Sequence, residues 1–70
     1  MSQIKELLGK RIREIRLSKN YTQEKLAELS GISRATLSKI ENDDAAYVNT
    51  RTIAKLSEVF EVKPSEIFLM

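Results

Sequence analysis

The chain has 70 residues, enough for one small domain, and it contains no cysteine and no histidine. Disulfides, thiolate metal sites and histidine-based proton transfer are therefore excluded, and with only scattered carboxylates and no glycine-rich phosphate loop an enzyme is the weakest interpretation. The net charge is only +2, but residues 1–20 carry six basic and two acidic side chains, an asymmetry that favours a polyanionic partner.

Apolar residues recur at helical spacing along the first part of the chain. A first helix is predicted over residues 3–18 from five of them: Ile4, Leu7, Leu8, Ile12 and Ile15. Asn20 follows it, and asparagine tolerates the left-handed conformation in which many helices end. Thr22 suits the N-cap of a second helix over residues 23–29. The inward-facing residues of that helix are predicted to be Leu26, Ala27 and Leu29.

Gly31 predicts a tight turn after the second helix, because glycine adopts a positive φ without steric cost. Ser33 suits the N-cap of a third helix over residues 34–41. Leu37 and Ile40 are spaced to face inward from that helix. The third helix is thus expected to be anchored along one side only.

A polar connection over residues 42–49 leads to a fourth helix over residues 50–60, for which Asn49 can supply the N-cap. Its inward residues are predicted to be Ile53, Leu56, Val59 and Phe60. Pro64 suits the first position of a short last helix, where its missing N–H costs nothing. Strand-like alternation is absent, so we expect an all-α fold of five helices in a single domain over residues 1–70.

The most specific pattern lies between Thr22 and Glu41. Two short capped helices joined by a glycine-containing connection are typical of a helix-turn-helix, here over residues 22–41. Ala27 is small where the third helix must cross the second. The side of the third helix that faces away from the core carries short or cationic residues able to reach base edges: Arg34, Ala35, Ser38 and Lys39.

Four separated segments resemble the lambda-repressor/Cro-like (XRE-type) helix-turn-helix family of small bacterial and phage transcription regulators. They are IREIR at 12–16, TQEKLA at 22–27, GISRATLSKIE at 31–41 and TIAKL at 52–56. The resemblance runs from about residue 8 to residue 68, and members of the family to which the chain is similar include short phage repressors and the controller proteins of restriction–modification systems. It implies a compact five-helix DNA-binding domain whose recognition helix is residues 34–41.

The resemblance also implies which residues contact double-stranded DNA. Base contacts in the major groove are implied for Arg34, Ala35, Ser38 and Lys39. Phosphate contacts are implied for Thr22, Gln23, Ser33, Thr36, Asn42 and Arg16. Gln23 is further expected to brace the start of the recognition helix. Arg16 and Glu41 match a family ion pair that ties the first helix to the end of the third.

The sequence departs from the family pattern at two places. The connection after Asn42 is one residue longer than usual, and its Asp43 and Asp44 would repel a nearby phosphate. Glu61 stands where the family often has glycine, which leaves the turn before Val62 unspecified.

One such module reads only a few base pairs, so we expect a homodimer on two half-sites. We predict the dimer contact in the last helix and the residues after it: Ile67, Phe68, Leu69 and Met70. The alternative for Phe68 is that it caps the core. No ligand-sensing domain fits within 70 residues, so no cofactor or small-molecule ligand is expected.

The sequence therefore predicts a DNA-binding regulator of transcription. A protein-interaction or antitoxin module with the same fold is the alternative; it would keep its activity when Arg34 and Lys39 are replaced. The chain has no run of about 18 apolar residues and no signal-peptide pattern at its start. We expect a soluble, cytoplasmic protein that makes no membrane contact.

Overall fold

The computed structural model describes residues 3–42 and 48–68, with the side chains of residues 8–42 and 48–67. They form five helices: α1 (Gln3–Ser18), α2 (Gln23–Ser30), α3 (Arg34–Glu41), α4 (Thr50–Phe60) and α5 (Pro64–Phe68). No strand occurs in these ranges, and the predicted all-α class is confirmed. None of the helices in the described ranges has the length and apolarity needed to cross a bilayer.

Local chemistry fixes the helix ends. Thr22 Oγ1 accepts the backbone N–H of Lys25 at 2.9 Å, which caps α2, and Asn49 Oδ1 accepts that of Thr52 at 2.9 Å, which caps α4. Asn20 and Gly31 have positive φ, of 63° and 75°, so both predicted left-handed turns are confirmed.

The core is a continuous cluster of apolar side chains contributed by all five helices and by the turn before α3. Its members are Leu8, Ile12, Ile15, Leu26, Ile32, Leu37, Ile40, Ile53, Leu56, Phe60 and Ile67. Val59 and Ala27 are partly buried and pack against this cluster. α3 packs against both α1 and α2, which holds it at a fixed angle on the surface of the bundle.

The predicted inward orientation of Leu29 is wrong, because its side chain is 45% exposed. Each helical residue advances about 100° around the axis, so Leu29 lies about 60° to one side of Leu26 and Ser30 about 40° to the other. α2 packs on the Ser30 side, where Ala27 and Gln23 are also partly covered. Ser30 is buried, and its Oγ accepts the backbone N–H of Ile32 at 3.1 Å.

The dimer contact predicted for Ile67 also needs correction. Ile67 is fully buried in the core of its own chain, so its side chain serves the bundle and is not available to a partner. The side chain of Phe68, with Leu69 and Met70, lies outside the described residues, as do Asp43 and Asp44.

Candidate nucleic-acid interface

α3 has one buried side and one exposed side. Leu37 and Ile40 are fully buried, as predicted, and Glu41 is buried beside them at the end of the helix. On the opposite side Ser38 is half-buried, while the other three residues predicted to reach bases are exposed: Arg34, Ala35 and Lys39. The exposed residues of α3 carry two cations and no acid, so this surface attracts an anion.

Ser33 organises the start of α3 through two hydrogen bonds. Its Oγ accepts the backbone N–H of Thr36 at 3.1 Å and donates to Thr36 Oγ1 at 2.8 Å. Both hydroxyls therefore lie at the amino end of α3, where the helix dipole favours a negative charge. The geometry is compatible with the predicted phosphate contacts of Ser33 and Thr36.

Two further residues predicted to contact phosphates lie at helix ends. Thr22 is exposed at the N-cap of α2. Asn42 is exposed at the C-cap of α3, and its backbone N–H bonds to the carbonyl of Ser38 at 3.0 Å. These side chains sit on the helix-turn-helix at its edges, which is where contacts to a DNA backbone would orient α3.

Arg16 and Glu41 form the predicted ion pair, and it is a bidentate one. Arg16 Nε lies 2.8 Å from Glu41 Oε2, and Arg16 Nη2 lies 3.0 Å from Glu41 Oε1. Arg16 Nη1 donates a third hydrogen bond, to the carbonyl oxygen of Tyr21 at 2.7 Å. Arg16 is only 8% exposed and is held by these three hydrogen bonds, so the structure favours its structural role over the predicted phosphate contact.

Gln23 contacts the same carboxylate. Its Nε2 donates to Glu41 Oε1 at 3.2 Å, so Gln23 braces the end of α3 and not its start, contrary to the prediction. Gln23 is half-buried at the first position of α2. Sequence reasoning missed this contact because Gln23 and Glu41 are 18 residues apart and no periodicity links them.

Within the described residues, no group of three or more acidic side chains is arranged to hold a metal ion. The geometry instead offers hydrogen-bond donors and positive charge on one side of a helix-turn-helix. Such a surface can bind the phosphates and base edges of a nucleic acid.

Comparison with known proteins adds family relationships. A family model described as helix-turn-helix matches residues 12–67. The uncharacterized HTH-type transcriptional regulator RghRB of Bacillus subtilis (strain 168) is 44% identical over 54 residues, which is 77% of this chain and 39% of that protein. The HTH-type transcriptional regulator PuuR of Escherichia coli (strain K12) is 38% identical over 60 residues, 86% of this chain and 32% of PuuR.

A solved structure is also similar along nearly the whole chain. It is the crystal structure of the restriction-modification controller protein C.AhdI from Aeromonas hydrophila, with a TM-score of 0.83 and 31% identity. The match covers 96% of this chain and 98% of that one. By contrast, this chain spans only 39% of the length of RghRB and 32% of that of PuuR.

Proposed function

This chain belongs to the helix-turn-helix family, and on that premise we propose that it is a sequence-specific, double-stranded-DNA-binding regulator of transcription that acts in the cytoplasm. The observation that carries the proposal is the one-sided anchoring of α3. Its apolar residues are fully buried, while short and cationic side chains occupy the exposed side. The major groove of B-DNA is wide enough to admit an exposed α-helix.

The residues of α3 suggest distinct base contacts. Arg34 can donate two hydrogen bonds to O6 and N7 of guanine, a pairing worth about 1–3 kcal/mol of discrimination. Ala35 is suited to apolar contact with a thymine methyl group. Ser38 and Lys39 lie about one helical turn further along the same side and would reach neighbouring bases.

Phosphate contacts would then fix the register of α3. We assign them to five residues with neutral donors at the ends of α2 and α3: Thr22, Gln23, Ser33, Thr36 and Asn42. The hydroxyls of Thr22 and Thr36 and the amides of Gln23 and Asn42 can donate to phosphate oxygens without reading sequence. The Ser33 hydroxyl can do so when it turns away from Thr36 Oγ1. The amino ends of α2 and α3 add partial positive charge beside all of these residues except Asn42, which lies at the carboxyl end of α3.

The DNA-binding proposal is tested by fluorescence anisotropy. The probes are the DNA upstream of the protein's own reading frame, duplexes selected from a random pool, and a scrambled duplex. We expect preference for a specific duplex by about a thousandfold. Arg34→Ala should weaken that binding by about tenfold or more. Lys10→Ala is the matched control, because it removes an exposed cation on α1 and should change affinity by less than about threefold.

Equal and weak binding to every duplex, unchanged by Arg34→Ala, would reject the DNA-binding proposal. That result would instead favour the protein-interaction or antitoxin module that the same fold allows.

A second part of the proposal concerns assembly. α3 has eight residues and is about 12 Å long, so one copy spans only about three or four base pairs. We therefore propose that two copies bind two half-sites whose centres are about 34–36 Å apart, one helical turn of DNA.

Half-site spacing tests the assembly directly. Inserting about five base pairs between the half-sites turns one of them to the opposite face of the duplex, so affinity should fall by about a hundredfold or more. A half-site alone should lose affinity to a similar extent. Affinity that is indifferent to spacing, with one copy bound per duplex in sedimentation, would contradict the dimer.

A further inference from the structure

The carboxylate of Glu41 touches a residue that the family ion pair does not require. Besides the two bonds from Arg16, Glu41 Oε1 accepts a hydrogen bond from Gln23 Nε2 at 3.2 Å. We propose that Glu41 is a positioning residue for DNA binding. By holding one N–H of the Gln23 amide, it directs the other N–H of the same amide at a DNA phosphate. This inference rests on the proposed function.

The chemistry of the two partners fixes which way the amide points. A side-chain amide offers two N–H donors on nitrogen and one acceptor oxygen, whereas a carboxylate only accepts. The nitrogen of Gln23 must therefore face Glu41, and the oxygen must face away. The two N–H bonds of one amide nitrogen diverge, so the second points away from the carboxylate, and a phosphate oxygen, also only an acceptor, can approach it on this half-buried side chain. One nitrogen thus bridges two anions.

The charge of Glu41 would oppose a phosphate if Arg16 did not compensate it. The side chain of Glu41 is only 3% exposed, and Arg16 donates to both of its oxygens, at 2.8 and 3.0 Å. A paired guanidinium cancels the net charge of the carboxylate and leaves its acceptor sites in place. Glu41 can then orient Gln23 without repelling the DNA.

The cluster also fixes the backbone on which Gln23 is carried. The third bond of Arg16 goes to the carbonyl of Tyr21, two residues before Gln23. α1, the segment before α2, the start of α2 and the end of α3 are therefore joined through the Arg16–Glu41 ion pair. Gln23 is held before DNA arrives, so less side-chain freedom is lost on binding.

A double-mutant cycle in DNA affinity separates positioning from mere stability. Replacing only one member of the ion pair leaves an unpaired buried charge, so the background variant is Arg16→Met with Glu41→Leu, which fills the site with apolar groups. In the wild-type background, Gln23→Ala should lower affinity for a selected duplex by about tenfold. In the apolar background, the same change should cost less than about twofold. An equal cost in both backgrounds would overturn the proposal.

Arg34→Ala is the control for this cycle. Arg34 and Glu41 are seven positions apart on α3, about 10 Å along the helix, so its cost should be the same in both backgrounds. If Arg34→Ala weakens binding and Gln23→Ala does not, the positioning role is wrong and DNA binding stands. If no duplex is bound specifically, the proposed function fails and the positioning role fails with it.

Nuclear magnetic resonance supplies a readout that needs no DNA. The side-chain amide nitrogen of Gln23 should be ordered on the nanosecond timescale in the wild type and mobile in the apolar background. The backbone amides of α2 should stay equally ordered in both proteins. A Gln23 amide that is mobile in both would overturn the proposal.

Discussion

At the scale of the single residue, Glu61 adopts a backbone conformation that side chains disfavour. Its φ is 58° at the C-cap of α4, in the left-handed region, where the family often has glycine. The cap is nevertheless complete, because the N–H of Val62 bonds to the carbonyl of Ser57 at 3.0 Å. A Cβ atom in this region costs about 1–2 kcal/mol, so the turn is formed at some expense in stability.

We expect Glu61→Gly to raise the free energy of unfolding by about 0.5–1 kcal/mol, because relief of the backbone strain exceeds the added freedom of the unfolded chain. Glu58→Gly is the matched control: it makes the same change of charge three residues earlier, at an exposed position inside α4. It should lower the free energy of unfolding by about 1 kcal/mol. Urea unfolding measures both, and a loss of stability in both variants would contradict the expectation.

At the scale of the element, the predictable features are those that local chemistry determines. Thr22, Ser33 and Asn49 cap their helices as predicted, and the observed starts of α2, α3 and α4 coincide with those expected. The resemblance to the lambda-repressor/Cro-like (XRE-type) regulators is confirmed by the family match over residues 12–67. Short-range capping and helical spacing leave little freedom at these positions.

The errors arise where the outcome depends on the position of another helix. Leu29 has the right spacing for the inner side of α2, but the packing of α3 and α4 selects the neighbouring side. The bond from Gln23 to Glu41 joins residues from two helices and has no signature in either segment. Ile67 lies in the last helix, where the sequence predicted a dimer contact. α5 instead packs against α1 and α4 and buries Ile67. Packing of this kind is not encoded in one segment alone.

Two leucines of α2 test the corrected orientation. Leu26 is fully buried in the core, and Leu26→Ala should lower the free energy of unfolding by about 2–5 kcal/mol. Leu29 is 45% exposed, and Leu29→Ala should change the free energy of unfolding by less than about 1 kcal/mol. Urea unfolding measures both variants, and if their m-values equal that of the wild type, the shifts in midpoint report the changes in stability directly. Comparable losses in both variants would show that Leu29 contributes to the core after all.

At the scale of the whole molecule, little of the positive charge lies on the exposed side of α3, which we propose to face DNA. The net charge of the chain is +2, and the exposed cationic residues of α3 are Arg34 and Lys39. The residues to which we assign phosphate contacts are all neutral. Affinity for DNA should therefore depend less on counterion release than it does for strongly basic proteins.

This arrangement predicts a shallow dependence of affinity on salt. With two cations per copy, a dimer should show a slope of log affinity against log salt no steeper than about −4. Lys39→Gln should make the slope shallower by about two for the dimer, one per copy, whereas Lys10→Gln on α1 should leave it unchanged. Anisotropy titrations between about 50 and 200 mM salt give these slopes. A slope near −8, or an equal change for Lys10→Gln, would mean that the basic side chains of α1 also lie against the phosphates, and the DNA-facing surface would then extend beyond the helix-turn-helix.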